Sequence, residues 1–101
     1  MLHDEQIESL KQQIISRYTP DMIILFGSCA KGIIRSSSDI DLCIIKQVDK
    51  IRDLKIDMQL NLESEIPFDI VVYTPEAWND NVRDETSFAY LIREKGVVLY
   101  G

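Results

Sequence analysis

No uninterrupted apolar run in this chain exceeds five residues, the length of Met22-Ile23-Ile24-Leu25-Phe26, and that limit decides much of what it can fold into. A run of this length makes one short strand, whereas a helix that crosses a bilayer needs about 20 apolar residues. It stops at Gly27, the pattern of a buried strand entering a tight turn. Upstream, Ile7, Leu10, Ile14 and Tyr18 form one apolar stripe of a helix over residues 4–18, which Pro20 stops. Residues 27–38 hold two glycines and three consecutive serines, and so predict a loop with room for one helical turn. Asp39 to Lys46 reads as a second strand, and Ile51, Leu54, Met58 and Leu62 place a second helix within residues 49–65. Phe68 to Tyr73 is a third strand behind Pro67, and Pro75 opens a further helix. Phe88, Leu91 and Ile92 mark the last helix, Gly96 is placed to cap it, and Val97 to Tyr100 forms a final short strand. The expected fold class is α+β, a mixed twisted sheet of about four strands with helices packed on it.

Composition narrows the function classes. The chain has 101 residues, of which 46% are hydrophobic, so residues 1–101 are expected to form a single globular domain and intrinsic disorder is excluded. Eleven Lys plus Arg against 17 Asp plus Glu give a net charge of −6, which disfavours stable nucleic-acid binding and suits a basic partner. The N-terminus lacks a basic stretch followed by an apolar segment, so no membrane role and a cytoplasmic location are expected. Cys29 and Cys43 are too few for a disulfide scaffold and are read as free thiols, Cys43 in the core and Cys29 without a histidine to activate it. His3 is read as a disordered terminal residue. Trp78, Tyr73 and Tyr90 are read as core or rim rather than nucleobase stackers. Ile56 and Leu60 lie off the main stripe of the second helix, which leaves two alternatives: a broad buried face, or an exposed apolar patch for a partner or a homo-oligomer.

The informative stretch runs from Gly27 to Leu42. Side chains alternate along a strand, so Asp39 and Asp41 point to the same side with anchor points roughly 6.5 to 7 Å apart. Two like charges on one face repel, and the pair is costly unless a cation sits between them; oxygen ligands suit Mg²⁺, with Mn²⁺ as an alternative. Asp69, between Phe68 and Ile70, joins the cluster if the second and third strands are neighbours. Two metals roughly 3.5 to 4 Å apart, held by three such acids, would clamp the attacking and leaving oxygens of a phosphoryl or nucleotidyl transfer. Gly27 lets the backbone approach a phosphate closely, Ser28 offers an N–H and a hydroxyl, and Lys31 offers a point charge. Ser36 to Ser38 read as a solvated loop, with the alternative that Ser38 supports Asp39 and joins the nucleotide-binding residues. The loop is not a Walker motif, because Ile33 follows Gly32 where Lys-Ser/Thr would be needed.

Gly27-Ser28, ten intervening residues, Asp39-Ile40-Asp41-Leu42 and then Phe68-Asp69-Ile70 resemble the motif set of the DNA polymerase β-like nucleotidyltransferase superfamily. The short length resembles its minimal nucleotidyltransferases (MNT), the antitoxin halves of HEPN/MNT toxin-antitoxin pairs. The resemblance implies that Asp39 and Asp41 are ligands of two catalytic Mg²⁺ ions and that Asp69 is the third carboxylate, holding one metal and activating the acceptor hydroxyl. It also implies that Gly27 and Ser28 clamp the triphosphate of ATP. The implied fold is a left-handedly twisted mixed sheet with helices on one side. The implied reaction moves AMP to a tyrosine hydroxyl on a HEPN-type toxin from a neighbouring gene. One residue departs from the family pattern: Lys31 stands where members commonly carry Arg, and Lys cannot form the bidentate fork. That departure opens an alternative, an antitoxin that binds nucleotide and neutralises the toxin by complex formation.

Overall fold

The computed structural model describes residues 3–32 and 38–101. Its elements run α1 (Asp4–Tyr18), β1 (Met22–Phe26), β2 (Ile40–Ile45), α2 (Ile51–Asn61), β3 (Phe68–Tyr73), α3 (Pro75–Asn81), α4 (Phe88–Lys95) and β4 (Val97–Tyr100), the order read from the sequence. Local chemistry sets several boundaries. Asp4 and Glu5 in the first turn of α1 and Arg17 in its last complement the helix dipole. Thr74 caps α3 by accepting a hydrogen bond from the Ala77 N–H, with Pro75 in the first turn, and Ser87 caps α4 by accepting from the Tyr90 N–H at 3.0 Å. No helix among the described residues is long and apolar enough to cross a membrane.

The four strands form one mixed sheet in the order β3-β2-β1-β4. β1 runs antiparallel to both β2 and β4, while β2 and β3 are parallel and joined through α2, as a parallel pair requires. Side-chain alternation then builds two cores. On one face Ile23, Leu25, Ile40, Leu42, Ile44, Ile70 and Val72 pack with Ile7, Leu10 and Ile14 of α1 and Met58 of α2. On the other, Ile24, Cys43 and Ile45 pack with Trp78 and Val82 from α3 and its C-cap and with Ala89 and Ile92 of α4. The mixed α+β sheet is as expected, but the helices are not confined to one side. Central strands apolar on both faces require cover on both faces, and the second pair of helices supplies it.

Two other expectations are corrected. His3 is buried rather than disordered; it precedes α1, and its Nε2 donates to the Ser38 carbonyl at 2.9 Å. Its Nδ1 is buried and has no hydrogen-bond partner among the described residues. The second helix is shorter than residues 49–65, because the chain turns extended at Leu62. There Gln13 of α1 takes both backbone groups of Glu63, its Oε1 accepting the N–H at 2.8 Å and its Nε2 donating to the carbonyl at 2.7 Å. Of the two readings left open for α2, exposure holds: Ile56 is 47% and Leu60 78% exposed.

Gly96 caps α4, although not through a left-handed turn; its backbone is extended. A Cβ there would strike the Ile92 carbonyl and the Ile24 side chain and crowd the Leu25 carbonyl, so glycine is required by space. Gly96→Ala is expected to cost about 1–3 kcal/mol of folding stability, measurable by urea denaturation.

Candidate active site

The site forms at one end of the sheet, where the chain leaves β1 and enters β2 and β3. In the parallel ladder Asp41 lies opposite Asp69, and in the antiparallel ladder it lies opposite Phe26. Paired residues share a face, so the two carboxylates stand side by side on neighbouring strands, about 4.8 Å apart in the pairing direction. Asp39 precedes β2 by one residue and is exposed, as is Asp69, while Asp41 is half-buried. The Cys29 thiol donates to the Asp39 carbonyl at 3.3 Å and so ties the loop after β1 to the entrance of β2.

Asp41 senses the other two acids. The Asp41 carboxyl is raised above the ordinary carboxylate range, first by burial, then by the charges of Asp69 and Asp39. Burial and then the charges of Asp41 and Asp39 also push the Cys29 thiol up, which keeps it a protonated donor and not a nucleophile. Among the described residues no cation forms an ion pair with any of the three aspartates.

Gly27 follows β1 with a φ of 75°, in the left-handed region, and a Cβ there would collide with the Asp41 carboxylate. Glycine is thus needed twice at this position, for the turn and for the approach. The expected single helical turn follows: the Lys31 N–H donates to the Gly27 carbonyl and the Gly32 N–H to the Cys29 carbonyl, both at 3.3 Å. Ser28 is half-buried in that turn and Lys31 is exposed. Ser38 is half-buried, its carbonyl held by His3. Beside the turn lies a cleft of about 240 Å³ lined by Phe26, Gly27, Lys31, Phe88, Leu91, Ile92 and Lys95. Trp78 is buried with Tyr73 edge-on at 5.5 Å, and Tyr90 lies at the rim beneath Arg93, as expected of core and rim residues.

The donor set fits a hard divalent cation. Three carboxylates contribute only oxygen, and their mutual repulsion is the property a Mg²⁺ ion relieves. Among the described residues no group of three His, Cys, Asp or Glu side chains is placed to hold a metal ion.

A chain with this topology and these motifs can be compared with known proteins. The family model described as "Polymerase beta, Nucleotidyltransferase" matches residues 8–101. The chain belongs to this nucleotidyltransferase family. A relative from Methanocaldococcus jannaschii, named "Putative protein adenylyltransferase", is 32% identical over 96 residues, covering 95% of this chain and 92% of the relative. A crystal structure from Sulfolobus solfataricus, described as a "putative nucleotidyltransferase", is 19% identical with a TM-score of 0.57, covers 94% of this chain and 82% of its own, and shares the fold. The nucleotidyltransferase sheet is therefore the frame that holds Gly27, Asp41 and Asp69 together. Sequence reading missed His3, Phe26 and Lys95 at this end of the sheet; only the strand order, which sets β4 beside β1, brings Lys95 to the turn.

The raised Asp41 carboxyl carries a consequence for stability. The native state holds this proton more tightly than the unfolded chain, so its contribution is full below the ordinary carboxylate range and is lost as pH rises through the raised value. Asp41→Asn should therefore melt above wild type at neutral pH in divalent-free buffer. The gap should close as the buffer is acidified; thermal melts across pH read this directly.

Proposed function

We propose that this nucleotidyltransferase transfers AMP from ATP to a hydroxyl on a partner protein in a Mg²⁺-dependent reaction, and that it is the antitoxin of a cytoplasmic HEPN toxin-antitoxin pair. The observation that carries the reading is the register of β2 and β3, which sets Asp69 beside Asp41 with the Gly27 turn on the next strand. Supporting it is the name of the archaeal relative.

In this reading Asp39, Asp41 and Asp69 would hold two Mg²⁺ ions, which supply charge neutralisation at the α-phosphate and polarise the acceptor oxygen. Asp69, at the outer edge of the sheet, receives the acceptor hydroxyl and takes its proton as the oxygen attacks the α-phosphorus. The bond from that phosphorus to the bridging oxygen breaks, and pyrophosphate leaves toward Gly27, Ser28 and Lys31. The amides of the turn and the Lys31 ammonium offset its charge. Ser38 and Cys29 position Asp39 through the backbone.

Incubation with labelled ATP, Mg²⁺ and the neighbouring gene product should label that product, and Asp39→Asn or Asp41→Asn should bring the label to background. Absence of transfer with wild type would sink the enzymatic reading. If Asp39→Asn still protects cells from the toxin, neutralisation works by complex formation, the reading that Lys31 and the exposed Ile56 and Leu60 patch favour. Separately, Mg²⁺ with ATP at 100-fold over its dissociation constant should stabilise wild type by about 2.7 kcal/mol, read as a shifted melting curve.

A further inference from the structure

We propose that Lys95, at the end of α4, is a second phosphate-binding cation that seats the outer phosphates of the nucleoside triphosphate together with Lys31; the assignment rests on the nucleotidyl-transfer reading above. The sheet acts as a ruler. Asp69 lies on β3, Asp41 one strand further on β2, Gly27 at the end of β1, and β4 follows, with strands about 4.8 Å apart. An acceptor at Asp69 and an α-phosphate at the carboxylates leave the outer phosphates pointing along this line, past Gly27. The β1–β4 ladder pairs Leu25 with Val97 and Ile24 with Val98. This pairing sets the start of β4, and with it the end of α4 at Lys95, beside the end of β1. Lys95 and Lys31 line the same cleft beside Gly27.

The surroundings suit this role. The remaining walls are Phe26, Phe88, Leu91 and Ile92, along which the lysine stems can lie with their ammonium groups at the rim. Apolar walls lower the local dielectric and strengthen a charge-assisted hydrogen bond to phosphate oxygen. Neither lysine forms an ion pair among the described residues, although the chain as a whole carries −6. A lysine at position 31 offers a point charge where a fork would give two parallel donors. A second ammonium in the same cleft restores a two-point grip, so the site is acidic under the α-phosphate and cationic under the tail.

The test compares Lys95→Met, Lys95→Arg and Lys55→Met, the last removing one charge from exposed α2. Calorimetry with Mg²⁺ and inorganic pyrophosphate, AMP or ATP provides a readout independent of turnover, and circular dichroism melts verify folding. Lys95→Met should weaken pyrophosphate binding about tenfold and raise KM for ATP by a similar factor, while AMP binding stays unchanged. Lys95→Arg should retain pyrophosphate binding, and Lys55→Met should leave every affinity as in wild type. Pyrophosphate binding by Lys95→Met equal to wild type, or an equal loss in Lys55→Met, would overturn the assignment while ATP binding by wild type kept the nucleotidyl-transfer reading intact. Wild type that binds neither ATP nor pyrophosphate would remove both.

Discussion

The carboxylate of Asp41 has a like charge beside it on β3, another two residues earlier in the chain, and a glycine backbone pressed against it from β1. None of these neighbours welcomes an anion. They are held there because Ile40, Leu42, Cys43, Ile44 and Ile45 of the same strand are buried between two helical layers, and a slip of one residue would turn that whole set over. Hydrophobic register thus imposes the electrostatic strain on Asp41. The interaction on which the chemistry depends is paid for by the core, not by the site itself.

Strand direction explains why the chemistry collects at one end. β1 leaves where β2, β3 and β4 begin, so Gly27, the Asp39–Asp41 entrance, Asp69 and the Lys95-Gly96 entrance are all junctions between sheet and loop. Deeper residues of the same strands are apolar. Polar groups at junctions keep access to solvent and ligand, and residues further in supply rigidity without carrying charge.

The sequence made much of this legible. The α1 stripe, β3 and β4 have their observed limits because Pro20, Pro67 and Gly96 punctuate them. The pairing of Asp69 with Asp41 was legible only conditionally, since spacing along a chain does not say which strands are neighbours. The rest lay in tertiary contacts. No periodicity marks Gln13 as the residue that captures Glu63 and ends α2, and nothing around His3 shows that its ring will be buried over the β2 entrance. Helices on both faces follow from apolar residues at both parities in β1 and β2, a pattern that outweighs the one-sided arrangement implied by family resemblance.

Two glycines stand at this end of the sheet, one in the turn after β1 and one between α4 and β4, and they are required for different reasons. Gly27 has a left-handed backbone and an acidic neighbour, so it is held by conformation and by charge; Gly96 has an extended backbone and is held by packing against Ile24, Leu25 and Ile92. Backbone packed this closely has little freedom to drift, so the turn after β1 keeps a fixed place relative to Asp41. Ser28 can then be half-buried and Lys31 exposed without loss of placement, because the peptide that carries them is packed against Asp41.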